Sequence, residues 1–329
     1  DVDKDSYKYY KTVKGAFGKR LKSVMVPSQD GECTFTLKEG GRCPFLNDDN
    51  LCDLYIELGE DKLCETCAEF PRFINDYGNI REIGIAPSCK TAGELMFSYK
   101  DELTFDTVED NSLTLEPNDI DAYTYMHLRQ ARIVAFGIIS DRDISIFERL
   151  MLYLDYAKRI QKHLDAERDE LIAGVAKRFC GPDYREKLLD KLKSRDAKLH
   201  GKRLIKGLRH FFDDFKGMEV INPDWNIHVA RVRQFLDGLA DDSELAAVMK
   251  TYHAGSEAFA HEYEQLAMYY VYRYMLDAVN DYDILLKAKN AVIGILAVDI
   301  MAAANQASGC MPDRSEEHTS ELQSPMFIS

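Results

Sequence analysis

Over most of this chain the apolar positions recur every three or four residues, the period of helices that bury one face. The clearest instance is "SIFERLMLYLDYAKRIQKHL", where Leu150, Leu154, Ala157 and Leu164 share a stripe behind a capping-box signature of Ser145 and Glu148. "REKLLDKLKSRDAKLHGKRLIKGLRHFFDDF" alternates charge as an exposed helical pair does. "NPDWNIHVARVRQFLDGL" and "SELAAVMKTY" predict further helices, with Asn222-Pro223 marking a start. "EYEQLAMYYVYRYMLDAV" places Tyr263, Ala267, Tyr270 and Tyr274 on one face. That face reads as an aromatic core stripe or as a pocket wall for a cation, with Arg273 beside it to pair with a carboxylate.

The first hundred residues are patterned differently. "DSYKYYKTVKGAFGKRLKSVM" (Asp5 to Met25) predicts one basic amphipathic helix with its lysines in solvent, and "CDLYIELGE" predicts a short one. "NIREIGIA" (Asn79 to Ala86) predicts a short strand, and Gly40-Gly41 and Asn47 to Asn50 predict turns. Asp48 and Asp49 lack the ligand spacing of a calcium loop. The polar stretch "DTVEDNSLTLEPND" (Asp106 to Asp119) marks a boundary. The expected architecture is mainly α: a Cys-rich metal-binding region with little β over 1–105, then an all-α helical region over 117–313.

Both ends qualify that picture. The chain starts at Asp1 without a methionine and reads as a fragment, so an N-terminal signal would be invisible. "RSEEHTSELQS" resembles the translation of a sequencing-library adapter, so 314–329 is expected to be an artefact and Asp313 the last native residue.

A net charge of -14 over 329 residues argues against nucleic acid as the main partner, because phosphate neutralisation needs a basic surface. The most apolar run, Ala291 to Val298, is far short of the roughly 20 residues a membrane span needs.

Cysteine usage changes the picture most. Six of the eight cysteines (Cys33, Cys43, Cys52, Cys64, Cys67 and Cys89) lie within the first ninety residues, whereas Cys180 and Cys310 are isolated and expected in cores. Disulfide scaffolds are stapled throughout, but here the thiols occupy one corner of a chain long enough to bury its own core. A metal site explains the asymmetry better. Cys64-Glu-Thr-Cys67 is a two-thiolate chelate, and no histidine lies between positions 33 and 89, so an all-thiolate site for zinc or an iron–sulfur cluster is indicated. A thioredoxin-like redox pair, the runner-up, would need a strand before the motif and a helix after it, and buried inert thiols are the remaining reading. No dinucleotide-binding glycine pattern, phosphate loop, zincin helix or nucleophile elbow is present.

"CPFLNDDNLCDLYIELGEDKLCETCAEFPR", "IREIGIAPSCKTAGEL" and "YEQLAMYYVYRYM" together resemble the flagellin lysine N-methylase family. The resemblance is specific in the first 100 residues and looser over 120–305. It implies a protein-lysine N-methyltransferase that moves a methyl group from S-adenosylmethionine to flagellin lysines in the bacterial cytoplasm. It also implies a Cys-ligated cluster, [4Fe-4S] with zinc as the alternative, and maps the ligands onto Cys43, Cys52, Cys64, Cys67 and Cys89. Cys33 has no counterpart. Members carry a further cysteine cluster upstream of the segment matching Asp1 to Lys11, and Cys89 is followed here by Lys-Thr where they read Pro-Glu. The radical type of cluster uses a Cys-x3-Cys-x2-Cys run, which is absent. By residue type alone, Tyr55, Arg72, Tyr270 and Glu262 are candidates for the donor and acceptor sites. A non-enzymatic iron–sulfur or zinc-thiolate interaction protein is the alternative reading.

Overall fold

Helices carry most of the chain, as the apolar period predicts. The computed structural model describes residues 1–27, 33–49, 51–87, 89–111, 119–199, 204–214 and 224–309. It divides into two compact units, Asp1–Phe73 and Ile74–Ser329. The first unit therefore ends well before the polar stretch at 106–119, and Cys89 belongs to the second. Segment 314–329 and Cys310 lie outside the described residues.

The first unit contains helices α1 (Lys4–Thr12) and α2 (Gly15–Val24), an antiparallel pair β1 (Met25–Pro27) and β2 (Cys33–Phe35), and short helices α3 (Asp53–Leu58) and α4 (Glu65–Glu69). The single helix expected over Asp5 to Met25 is thus two. Helix α1 stops at Val13, whose backbone is extended, and Gly15 takes φ +79° to start α2 in a new direction. The Val13 carbonyl then tucks against Gly18, where a Cβ would lie 2.2 Å from its oxygen. The core is small: Val2, Tyr10, Leu21, Cys33, Phe45, Leu54 and Cys64 are its fully buried members. Arg20 fastens α2 to the following loop, donating to Asp53 at 2.6 Å and to the Pro44 carbonyl at 2.6 Å.

Strand β3 (Arg72–Tyr77) and strand β4 (Ile80–Ile85) form a hairpin, turned by Gly78 at φ +63°. The predicted strand is β4. Its neighbour went unread because "RFINDY" carries charge among its apolar positions. Helix α5 (Lys90–Ser98) follows. Beyond it come α6 (Ala122–Ile139), α7 (Ile146–Leu164), α8 (Ile172–Phe179), α9 (Pro182–Leu199), α10 (Leu204–Asp214), α11 (Asp224–Gly238), α12 (Asp242–Ser256), α13 (Ala260–Tyr274), α14 (Ala278–Asp281) and α15 (Ile284–Ala307). No described helix is long and apolar enough to cross a membrane.

The main core of this unit joins α6, α7, α8, α13 and α15 with Tyr77 and Phe97. A second core packs α10, α11 and α12 on the far stretch of α15, around Phe212, Trp225, Leu236 and Met301. The predicted capping box opens α7: Glu148 N–H donates to Ser145 Oγ at 3.3 Å and Ser145 N–H to Glu148 Oε2 at 2.8 Å. Tyr263, Ala267 and Tyr270 are buried, so the stripe on α13 is core, with Tyr263 also bordering a cavity at the start of the helix. Arg273 lies over the rings of Tyr269 and Tyr274 and donates to the Tyr269 hydroxyl at 2.5 Å. Cys180 is exposed at the end of α8, against the expectation of a core position.

Buried charge ties the hairpin to the helices. Arg132 on α6 pairs with Glu82 on β4 and donates to the Tyr272 carbonyl at 3.0 Å, both partners being nearly inaccessible. The Tyr272 hydroxyl donates to the Ile83 carbonyl at 3.2 Å, closing the link from the other side.

Candidate functional site

Two places concentrate chemistry, one in each unit. In the first unit, Cys64 is the N-cap residue of α4 and Cys67 lies in its first turn, with the Cys67 N–H donating to the Cys64 carbonyl at 2.9 Å. The two thiols share a hydrogen bond. Accepting from Cys67 draws the Cys64 thiol down to about 6, against burial that pushes it up. Cys67, as donor, is pushed up, first by that bond, then by burial and by the charges of Cys64, Cys43 and Cys52. Of the pair, Cys64 gives up its proton the more readily, and the thiolate is the form that binds metal.

Cys43 and Cys52 belong to the loop ahead. The Leu46 N–H donates to the Cys43 carbonyl at 3.2 Å, and Leu46 pairs in an antiparallel bridge with Cys52. Asn47 holds the intervening turn, accepting from Asp49 N–H at 3.0 Å and Leu51 N–H at 2.9 Å. The acidic loop is thus the plain turn that its spacing predicts.

Among the described residues, no three His, Cys, Asp or Glu side chains converge tightly enough to grip a metal ion. The donor set is nonetheless of one chemical kind: Cys64 and Cys67 touch, and Cys43 and Cys52 are near enough to act on Cys67 through charge. Four soft thiols fit zinc or an iron–sulfur cluster in donor type. Cys89 precedes α5 in the second unit, as its N-cap residue. Cys33 is a core residue whose backbone pairs with Val2, at 2.7 and 3.1 Å. The carbonyl of Asp1 lies 3.6 Å from Cys64 Sγ.

The remaining candidates divide between the two units. Tyr55 and Arg72 are exposed on the first unit. In the second, Tyr270 belongs to the main core and Glu262 is buried on the same helix.

The second place is a cavity of about 520 Å³ between the start of α7, the end of α12 and the start of α13. Its size falls within the usual range for small-molecule sites. Phe147, His253 and Tyr263 line it, along with Arg142, Arg149 and Glu257. Behind it lies Asp299 of α15, 3 % exposed. His253 Nε2 is 3.0 Å from both Asp299 carboxylate oxygens, and the Tyr263 hydroxyl donates to Oδ1 at 3.1 Å. Tyr252 and Tyr263 hydroxyls meet at 3.1 Å. A carboxylate only accepts, so Nε2 carries the proton and donates, which leaves the lone pair on Nδ1. The Phe147 ring stacks on the imidazole at 4.7 Å and fixes its plane.

The wall of the cavity is held by Glu264, buried on α13. Arg142 reaches it at 2.7 Å and Arg149 at 2.6 Å, and Arg149 also donates to the carbonyls of Ile139 and Ile144 at 2.8 and 2.9 Å. Burial pushes the Glu264 carboxyl up, but the two guanidiniums outweigh it and hold it below the usual range. No local motif announced this constellation, since its residues come from four helices. The readable signal was a histidine on α12 and an aspartate directly after the most apolar run of the chain.

A lysine-modifying enzyme of the protein N-methyltransferase class is the assignment that comparison with known families gives to this helical unit. Residues 132–314, more than half of the chain, match the model of the FliB lysine N-methylase C-terminal domain. The chain belongs to the FliB lysine N-methylase family. No curated protein and no solved structure matches it.

Proposed function

We propose that the protein transfers a methyl group from S-adenosylmethionine to lysine ε-amines of flagellin, in the bacterial cytoplasm. The family match over 132–314 carries this reading. The acidic balance of the chain, -14 overall, supports a lysine-bearing protein as substrate and disfavours nucleic acid. Methyl transfer to lysine requires the neutral amine, whereas a free lysine, with pKa about 10.4, is almost wholly protonated at neutral pH. The enzyme must therefore hold the ammonium near a proton acceptor and exclude competing water.

The proposed metal ligands are Cys43, Cys52, Cys64 and Cys67, with Cys89 as a further one and an iron–sulfur cluster or zinc as the group. Three features support this: the uniform thiol donor set, the lowering of the Cys64 thiol by its bond to Cys67, and the small core of the first unit. Small cores gain most from a metal crosslink. A group held by these thiols would supply that crosslink. Asp1 adjoins Cys64, so any residues preceding Asp1 would join the chain beside these thiols and could complete the ligand set. The smallness of the core favours structural zinc as the second reading.

The decisive test incubates flagellin with methyl-labelled S-adenosylmethionine and the protein, purified without oxygen, and locates label by peptide mass spectrometry. Methylated lysine in flagellin is expected, and unlabelled flagellin at full enzyme loading would sink the proposal. Iron, sulfide and zinc contents of the same sample separate the two metals, and Cys64→Ser with Cys67→Ser should abolish binding of whichever is found.

A further inference from the structure

We infer that the cavity between α7, α12 and α13 is the binding site for the acceptor lysine, and that His253 is the base that takes its proton. The inference rests on the lysine-methylation reading and adds a place and a residue to it. It starts from the geometry of the Asp299–His253 pair. Asp299 is buried and receives Nε2–H at 3.0 Å, so the imidazole is oriented and its Nδ1 lone pair is the remaining acceptor. His253 keeps 35 % of its side-chain surface exposed, on the side of the cavity. Imidazole is the side chain whose ordinary pKa, about 6.5, lets it accept a proton near neutrality and return it to water.

Groups that face His253 come from each element around it. Asp299 faces it from α15, Tyr263 reaches it through Asp299 from α13, Phe147 covers its ring from α7, and Tyr252 adjoins it on α12. Charged residues around the cavity are Arg142, Asp143, Arg149 and Glu257. Both guanidiniums are turned to the buried carboxylate of Glu264. Asp143, Glu257 and Asp299 therefore set the local field, which attracts a cation. Phe147 and Tyr263 offer apolar surface for the lysine methylenes and a ring quadrupole for its charge.

The step balances without a further reagent. Nδ1 of His253 removes one proton from the ε-ammonium, leaving a neutral amine. The amine lone pair forms the N–C bond to the methyl of a sulfonium donor, the S–C bond breaks with its electron pair remaining on sulfur, and the product is a methylammonium and a thioether. Imidazolium then releases its proton to solvent. Asp299 is a positioning residue: it accepts from Nε2, orients the imidazole and touches no substrate.

Two measurements on the full chain test this. First, wild type and His253→Asn are compared with flagellin and S-adenosylmethionine between pH 6 and 9. The variant should lose about 10²- to 10⁴-fold in kcat, the range of a positioned acid–base group. Its KM for flagellin should stay nearly constant. The bend of the wild-type profile at low pH should give way to a steady rise, as neutral amine comes from bulk equilibrium alone. Asp299→Asn, which loosens the orientation of the ring, should lower kcat with KM for flagellin nearly constant, a split that loss of mere packing would not produce. Second, the imidazole resonances of ¹⁵N-histidine-labelled protein are followed as Nα-acetyl-lysine methylamide is added, with the norleucine analogue as control. His253 signals, assigned from the variant, should shift saturably with the lysine compound only. Saturable shifts in a protein that leaves flagellin unmethylated would keep the amine site and discard the flagellin reading. Methylation with unchanged kcat and pH profile in His253→Asn, or a ring indifferent to the lysine probe, would overturn the inference.

Discussion

Glu264 serves two arginines with one carboxylate, and Arg149, which it neutralises, is 6 % exposed at its side chain. Glu264→Gln keeps the shape but leaves that guanidinium buried without a counter-charge, an arrangement that costs about 3–5 kcal/mol. Urea titration at pH 7 should show the loss. The pH dependence has a definite sign. The folded carboxyl titrates below its unfolded value, so its contribution is complete above about pH 4.5 and is lost as pH falls through the folded pKa. Acid unfolding of wild type should therefore steepen in that window, and the variant should lack this component. Asp277 runs the other way: burial raises its carboxyl despite Lys287 and the Tyr77 hydroxyl at 3.3 Å. Its ionisation opposes folding as pH rises above the ordinary aspartate range. Asp277→Asn should raise the melting temperature slightly at pH 7 and leave it unchanged near pH 3. At this scale little was legible. Asp299 reads as the polar end of an apolar run, and its partner His253 lies 46 residues away with no shared motif. Only Cys64 and Cys67, neighbours on one turn, announced themselves, because their partnership is local.

Among the elements, two short joints decide what the helical period alone could not. Gly18→Ala would drive a Cβ to 2.2 Å from the Val13 oxygen, a contact that must be relieved by moving backbone. A loss of roughly 1–3 kcal/mol is expected, as for overpacked sites, visible as faster proteolysis within residues 1–27. Asp242, at the head of α12, caps a different helix: its carboxylate accepts the N–H groups of Leu204 and Ile205, both at 3.0 Å, at the start of α10. Asp242→Ala should cost about 1–2 kcal/mol and speed amide exchange along α10. These joints explain where sequence reading succeeded. Long amphipathic stretches and the Ser145–Glu148 box are written in consecutive residues, so α7, α11, α12 and α13 were predicted. The break between α1 and α2 depends on a carbonyl closing on a glycine, and the lysine-rich pattern runs through it undisturbed. Strand β3 owes its form to pairing with β4, which a window along one segment does not contain.

The two units have separate cores of very unequal size, and the whole molecule should unfold accordingly. Calorimetry should resolve more than one transition, and Cys64→Ser, at a buried position of the small core, should lower the first while leaving the helical unit in place. Within that unit, α15 is common to both large cores: Ala288, Ala291 and Ile295 pack into one, Ala297, Met301 and Ala304 into the other. Every other described helix of the unit precedes α15 in the chain. A ribosome making this protein at roughly 5–20 residues per second therefore displays the sides of α7, α11, α12 and α13 that pack on α15 uncovered until α15 emerges. Arrested chains ending before Ile284 should be captured by chaperones and readily cleaved, and those reaching Ala307 and clear of the exit tunnel should resist. Emergence of α15, rather than any earlier pause, is the moment at which the helical unit closes.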